Sequence, residues 1–356
     1  MGHRSKITGI ALIALACLAA EKGDRQPFSP RDVGIARAGR AGEKGVSPRA
    51  APQVVWCEKV WSSAPHNGFT DLVRYKDRWF CALREGASYR SADGTIRILT
   101  SLDGEVWKPA SRITSTGGDL RYPKLSVSPD GRLILVAVEE RQGIVWERHQ
   151  SAVWTSPDGR NWSTPIPVCE PNLQLGRLAW HNRLAFAAGY SNVREEFLRV
   201  YGGPRADKFV PLTSKLLSGQ APGEAALLFL ADDSALCLAQ RDAKGTTAAL
   251  GRAKPPYRGW IWTDLNVSIE TPTMLMLPDD RIVVAGRTTA GGKPRLALFW
   301  LEDQDDKLRE FLELPSAGDA GYPGLAWNEG LLWVSYHSSQ DGKAGIYIAK
   351  VRTGDK

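Results

Sequence analysis

Ser101-Leu102-Asp103-Gly104-Glu105-Val106-Trp107 and Ser156-Pro157-Asp158-Gly159-Arg160-Asn161-Trp162 are two copies of one turn, Ser-x-Asp-Gly-x-x-Trp. Each follows a short apolar strand, Ile96–Ser101 in the first copy and Ala152–Ser156 in the second. A short carboxylate can accept backbone N–H groups inside a turn, and Gly supplies an unusual φ. The Trp anchors the turn to the sheet beneath it. One structural role thus accounts for Ser, Asp, Gly and Trp together, and it removes Asp103 and Asp158 from the catalytic candidates. Degenerate copies stand near Tyr201–Phe209 and Lys254–Trp262.

Upstream of each turn lies a second pattern, an apolar strand, a short polar turn and another apolar strand. It occurs six times: Leu72–Leu83, Lys124–Val138, Leu178–Ala188, Ala226–Ala239, Met274–Ala285 and Gly324–Ser335. The turns recur at a spacing of about 50 residues, a period that fits propeller blades. Asp, Asn and Gly at the turns tolerate tight hairpin geometry. Hairpin plus following turn gives four strands per blade, A to D. The expectation is an all-β, six-bladed β-propeller over Gln53–Arg352, with four antiparallel strands in each blade. Val54–Trp61 precedes the first hairpin and Ala344–Val351 follows the last, so the N-terminal strand is expected to complete the final blade and close the ring.

Composition agrees: 43% hydrophobic and 24% charged residues, with 35 Gly, 22 Pro, 13 Trp and only 3 Met, suit short strands and tight turns over helices. Arg4 and Lys6 precede an apolar run, Ile7–Ala20, too short to span a bilayer comfortably. Met1–Ala20 therefore reads as a signal peptide cleaved after Ala19-Ala20, with an uncleaved anchor, or a lipidated Cys17, as lesser alternatives. Export to the periplasm or the medium is expected. Residues 21–52 read as a basic disordered linker. Met1–Pro52 carries roughly +5 of the chain's formal +7, so the basic balance is no argument for nucleic-acid binding by the folded domain. Cys57, Cys81, Cys169 and Cys237 have no paired spacing and read as free thiols. The sequence holds no phosphate-binding loop, dinucleotide fingerprint or zinc pattern, and no cofactor is expected. The mature domain is expected to lack a membrane span and to be a monomer.

The up-and-down order of strands sorts residues onto two faces. A–B turns and Ser-x-Asp-Gly turns share one face; B–C loops and D–A crossings share the other. The second face collects Arg84, Tyr190, Arg241, Arg287 and His337 from strand ends. The crossings add Asp119, Arg121, Tyr122, Arg177, Glu224, Glu270, Asp319 and Tyr322, and the first B–C loop adds Tyr89 and Asp93. Converging charges and tyrosines around an axis are what a polar ligand site needs.

The Ser-x-Asp-Gly-x-x-Trp turns on a six-fold, four-strand repeat resemble the Asp-box turns of the sialidase (neuraminidase) superfamily. The resemblance implies arginines that hold a substrate carboxylate, a tyrosine nucleophile activated by a glutamate, and an acid/base carboxyl. Ala320-Gly321-Tyr322-Pro323-Gly324-Leu325 is similar to the family's nucleophile motif, which makes Tyr322 the nucleophile and Glu224 its partner. Arg241 and Arg295 stand where two clamp arginines would. The first clamp arginine is missing: that stretch reads Asn67-Gly68-Phe69-Thr70-Asp71-Leu72, leaving Arg84 or Arg121 as substitutes. Asp93 is the choice for the acid/base, with Asp71 and Asp119 as rivals. Asp119-Leu120-Arg121 and Arg84-Glu85-Gly86 resemble marks of a bacterial branch, and Asp119 joins the substrate-binding set. What the resemblance implies is an exported exo-α-sialidase-type hydrolase acting on a terminal acidic sugar. A non-hydrolytic glycan- or protein-binding propeller, or a glycosidase for another sugar, is the alternative.

Overall fold

The computed structural model describes residues 50–141, 147–290, 292–302 and 304–354. The expected signal peptide, and the expected linker up to Arg49, lie outside the described residues. The described chain forms six antiparallel sheets and, among the described residues, no helix. The first blade has the strands His66–Tyr75, Arg78–Gly86, Thr95–Ser101 and Lys108–Ile113, paired in that order. Its A strand, innermost, lies against the inner strands of the second blade, Gly118–Val127, and the sixth, Ala320–Asn328. Glu270–Met276 of blade 5 lies between Ala320–Asn328 and Pro222–Phe229 of blade 4. The expected six-bladed propeller is what the chain builds.

The ring closes through its first strand. Gln53–Trp61 pairs antiparallel with Gly345–Arg352, Gln53 opposite Arg352 and Trp61 opposite Ile346. It is the outermost strand of the blade formed by Ala320–Asn328, Leu331–Ser338 and Gly345–Arg352. The last blade therefore has no unpaired edge on Gly345–Arg352.

Most middle strands are covered on both sides, which explains why they read as unbroken apolar runs. Leu133-Ile134-Leu135-Val136-Ala137-Val138 is buried throughout. Side chains on alternate faces join different clusters: Leu133, Leu135 and Ala137 pack with Phe80 and Ile98 of blade 1, whereas Ile134 and Val136 pack with Tyr201 and Ala187 of blade 3. The core is thus a series of seams between neighbouring blades.

The two Ser-x-Asp-Gly-x-x-Trp turns bind across these seams. Asp103 Oδ1 accepts the Glu105 and Val106 N–H groups, each at 2.9 Å, and Trp107 Nε1 donates to Gly104 O at 2.8 Å. Asp158 Oδ1 accepts Arg160 N and Asn161 N, each at 2.8 Å. These donors hold both carboxyls at about 2, below the usual carboxylate range. Blade 4 uses the same anchor, with Tyr257 at φ 61° where the glycine stands and Trp260 Nε1 donating to Tyr257 O at 3.0 Å. Gly104 and Gly159 have φ of 75° and 72°, but conformation is only half of their role. A Cβ on Gly104 would stand 2.2 Å from Trp333 of blade 6, and one on Gly159 would stand 2.2 Å from Phe80 of blade 1. Each turn therefore seats on the blade before its own.

Gly131 separates the two effects, since its φ is 76° but a Cβ there would meet nothing within 4 Å. Gly131→Ala should cost about 1–2 kcal/mol from backbone strain alone. Gly159→Ala should cost about 1–3 kcal/mol more, from overpacking against Phe80. Thermal melting of the two variants beside the parent checks the order; equal melting points would show that Gly159 matters only for its conformation.

Candidate active site

Each inner strand carries one more residue than its partner strand near the end where the D–A crossing enters. In blade 1, Gly68 faces Arg84 and Asp71 faces Ala82, so Phe69 and Thr70 stand opposite Leu83 alone. Tyr122 and Pro123 do the same opposite Ala137, Gly223 and Glu224 opposite Gln240, Thr271 and Pro272 opposite Gly286, and Tyr322 and Pro323 opposite Tyr336. In blade 3 the inner strand breaks into Gln174–Leu175 and Ala179–His181, with Gly176, Arg177 and Leu178 between them. Proline fits here because an extra residue leaves its N–H outside the ladder.

Four of these residues have left-handed backbones: Phe69 at φ 57°, Tyr122 at 53°, Thr271 at 50° and Tyr322 at 53°. Left-handed geometry costs roughly 1–2 kcal/mol for a residue with a Cβ. The neighbours hold it in place. Tyr322 N donates to Thr271 Oγ1 at 3.1 Å, and Tyr322 O accepts Thr70 Oγ1 at 2.7 Å. Thr271 N in turn donates to Gln240 Oε1 at 2.7 Å. Three rings carried by these bulges meet: Phe69 lies 4.9 Å from Tyr122 and 4.5 Å from Tyr322, centroid to centroid.

The Tyr322 hydroxyl donates to Glu224 Oε1 at 3.2 Å. Burial pushes the phenols of Tyr322 and Tyr190 well above their usual value, and the Glu224 carboxylate adds to the effect. Tyr122 is pushed up to about 12, again chiefly by burial. Burial also raises Glu224, helped by the Asp242 carboxylate and opposed by Lys124 and the Tyr322 hydrogen bond. Lys124 itself is lowered by burial. The chemical meaning is a resting phenol that keeps its proton beside a carboxylate able to take it.

The arginines are arranged differently from the expectation. Arg241 turns into its own blade and its incoming crossing: Nε donates to Thr247 O at 2.7 Å, Nη1 to Gln220 Oε1 at 2.8 Å, and Nη2 lies 2.9 Å from Asp264 Oδ1. Arg295 donates to Glu310 and Glu313 on the outer strand of blade 5, Lys307–Leu314. Arg84 and Arg121 are fully buried and share Asp119, which accepts Arg84 Nε at 2.6 Å and Arg121 Nη1 at 2.9 Å. Arg121 is roofed by rings, 4.7 Å from Phe69 and 5.0 Å from Tyr89. Each of the four arginines expected to form a clamp is engaged by a carboxylate of this chain.

The expected acid/base positions also have other duties. Both oxygens of exposed Asp93 accept Ala87 N, at 3.1 Å each, which ties the first B–C loop; the Ser91 hydroxyl first, and then Ala87 N, lower the carboxyl's proton affinity. Asp71, buried, accepts Leu125 N at 2.7 Å and lies 3.4 Å from Arg177 Nη1. Asp119 is fixed between its two arginines.

Residues absent from the motif-based set complete the surroundings. His337 stacks on Tyr322 at 5.7 Å between centroids, and Asp319 lies 3.4 Å from His337 Nε2 and 3.6 Å from His66 Nε2. Arg287 Nη1 lies 3.9 Å from the same Asp319. Lys124 and Arg177 line, with Tyr122, Tyr190, Glu224 and Tyr322, a cavity of about 300 Å³. The recurrence of Tyr122-Pro123, Thr271-Pro272 and Tyr322-Pro323 at the same place in three hairpins was the available sequence signal for the bulges, and so for Lys124 just beyond one of them. Among the described residues, no group of His, Cys, Asp and Glu could hold a metal ion. Cys81 and Cys237 are buried free thiols; Cys57 and Cys169 are half-buried.

No family model and no curated protein matches the chain. Solved structures do. A protein of unknown function from Dyadobacter fermentans superposes with a TM-score of 0.73 at 14% identity, over 85% of this chain and 99% of that one. An α-L-arabinofuranosidase from Fusarium graminearum, in complex with an iminosugar inhibitor, gives 0.64 at 15% identity, over 83% of this chain and 96% of that one. A Trypanosoma rangeli sialidase in complex with the inhibitor DANA gives 0.63 at 10% identity, over 81% of this chain and 55% of that one. The chain thus spans about half the length of the sialidase. At these identities the likeness establishes the shared fold.

The Glu224 environment sets a pH dependence. Its folded proton affinity is raised, so its contribution to stability is complete below the ordinary glutamate range and is lost as pH rises through the raised value. Glu224→Gln should therefore melt increasingly higher than the parent as pH goes from about 4 to 8. A melting difference that stays flat, or shrinks, across that series would contradict a buried, proton-binding Glu224.

Proposed function

We propose that this chain is a glycoside hydrolase with a tyrosine nucleophile, Tyr322, activated by Glu224. The observation that carries the reading is the 3.2 Å hydrogen bond from Tyr322 to Glu224, made by two bulge residues from different blades that line one cavity. The glycosidases among the solved structures of like fold support it. In the first step Tyr322 Oη bonds to the anomeric carbon, its proton passes to Glu224, and the glycosidic C–O bond breaks. The leaving oxygen is protonated from solvent. Water then attacks the anomeric carbon and releases a proton to solvent, while the Tyr322 oxygen departs and recovers its proton from Glu224. Two displacements give net retention.

The sugar is read as neutral. A buried carboxylate needs fixed cations; Arg241, Arg295, Arg84 and Arg121 all face carboxylates of this chain, and of the two cations that line the cavity Arg177 lies 3.4 Å from Asp71 and Lys124 has its charge disfavoured by burial. A terminal acidic sugar is the second reading. It is favoured by Arg121, whose buried Nη2 has no hydrogen-bond partner and whose Nε lies 3.5 Å from Glu140 Oε2. The apolar leader at Ile7–Ala20 supports action outside the cytoplasm, in the periplasm or the medium.

The test is turnover of methylumbelliferyl glycosides, an α-L-arabinofuranoside and other neutral sugars beside an α-sialoside. Such activated leaving groups need little acid assistance. We expect turnover of a neutral substrate, reduced by about 10²–10⁴-fold in Glu224→Gln and at least as much in Tyr322→Phe. Arg241→Ala should leave it unchanged. Turnover of the α-sialoside alone, abolished by Arg121→Met, would select the acidic sugar. No turnover on any glycoside would leave a glycan-binding propeller, and full turnover in Tyr322→Phe would remove the tyrosine nucleophile.

A further inference from the structure

The cavity that begins at Tyr322 and Glu224 does not end beneath them. It continues along the inner strands to Trp180, His181 and Phe229, beside the A–B turns of blades 3 and 4. From Glu224 to Leu228 the strand advances four residues, roughly 13 Å. The upper part is polar, with Tyr122, Lys124, Tyr190 and Glu224. The lower wall is apolar, formed by Leu178, Ala226, Leu228, Phe229, Met274 and Leu275.

A six-fold repeat alone would make an evenly spaced central channel, and this one is lopsided. On one side it is shut. A Cβ on Gly324 would stand 2.5 Å from Leu72 N and 2.8 Å from Asp71 Cα, so the inner strands of blades 6 and 1 are in backbone contact there. On the other side the inner strand of blade 3 is broken at Gly176-Arg177-Leu178. Beside that break, every residue of blade 4 from Glu224 to Phe229 is only half-buried, although it belongs to an innermost strand. The side chains of this wall suit hydrocarbon, and the hydrogen-bonding groups beside them are the unpaired backbone edges of the inner strands.

We infer that the lower cavity receives the apolar tail of an amphiphilic glycoside, whose sugar occupies the polar collar beside Tyr322 and Glu224. The inference rests on the proposed glycosidase only for the position of the sugar. The tail requires no particular sugar, so binding can be read apart from hydrolysis. An alkyl chain on a lipid-like glycoside and a plain alkyl aglycone share this chemistry, and simple n-alkyl glucosides represent both.

The experiment is calorimetric titration of the propeller with methyl, butyl, hexyl, octyl and decyl β-D-glucosides, each below its micellar concentration. Affinity should rise about fourfold per methylene while the chain is being buried. It should level off when the cavity is full, at a stoichiometry of one. Ala226→Phe, which fills the wall, should bring the plateau forward by several carbons. Leu228→Asn, which makes the wall polar, should flatten the slope. Should the bulkier variant fail to fold, as melting would reveal, Leu228→Asn decides the question alone. An affinity independent of chain length overturns the inference, and so does a slope unchanged in the folded variants, because the chain would then bind elsewhere. Neither result bears on turnover of methylumbelliferyl substrates, so loss of the tail site and loss of the glycosidase reading are separable.

Discussion

The extra residue in every inner strand is the constraint from which the candidate site is built. Strand side chains alternate between faces, so one inserted residue changes which side chains reach the axis from that point on. Phe69, Tyr122, Thr271 and Tyr322 occupy one position in four blades, and all four take the left-handed backbone. The rings of Phe69, Tyr122 and Tyr322 converge, and Thr271 holds the Tyr322 backbone through its hydroxyl. Without the bulge, Tyr322 would not be presented to Glu224, which lies one place further along in its own bulge.

The same repeat explains the arginines. Arg84, Arg241 and Arg287 stand at equivalent places, opposite Gly68, Pro222 and Glu270. Arg84 reaches Asp119 and Arg287 approaches Asp319, each in the crossing that leads to the next blade. By the same count Arg241 would meet Ser268, which is no partner for a guanidinium, and it pairs instead with Asp264 on the outer strand of its own blade. Three like arginines thus serve as struts whose direction is set by where the next carboxylate falls. A strut of this kind is held by a carboxylate of its own chain, which is unlike the open fork that a substrate carboxylate needs.

What was legible in the sequence was local. Hairpin turns such as Asp130-Gly131 and the Ser-x-Asp-Gly-x-x-Trp turns announce themselves because their chemistry closes within seven residues. Their period then gives six blades, and the apolar strand Gln53–Trp61 had one vacant place to go. The pairing of Tyr322 with Glu224 was readable too, through a motif at the start of a hairpin and topology that puts such starts on one face. The arginines were not. An arginine at the end of a strand can leave its sheet in several directions, and the choice depends on a residue more than twenty places away in sequence, in its own blade or in the next crossing. Asp93 was ambiguous for a related reason, since Asp-Gly in a loop serves equally as a turn, and here it binds Ala87 N. The broken inner strand of blade 3 left no mark stronger than Gly176 in an otherwise ordinary apolar hairpin.

The way the ring closes has a mechanical side. Gln53 lies opposite Arg352, and the two strands run antiparallel from that shared end. Tension applied between these two residues would load the first backbone pair alone, then the next, so the latch would peel open one rung at a time instead of shearing along its length. Tension between Trp61 and Arg352 would have to strain all the rungs at once. The propeller is therefore anisotropic: a joint that is paired from end to end at rest, apart from its register shifts at Val55 and Val60, is weak toward a pull on its own two ends and strong toward a pull along its strands.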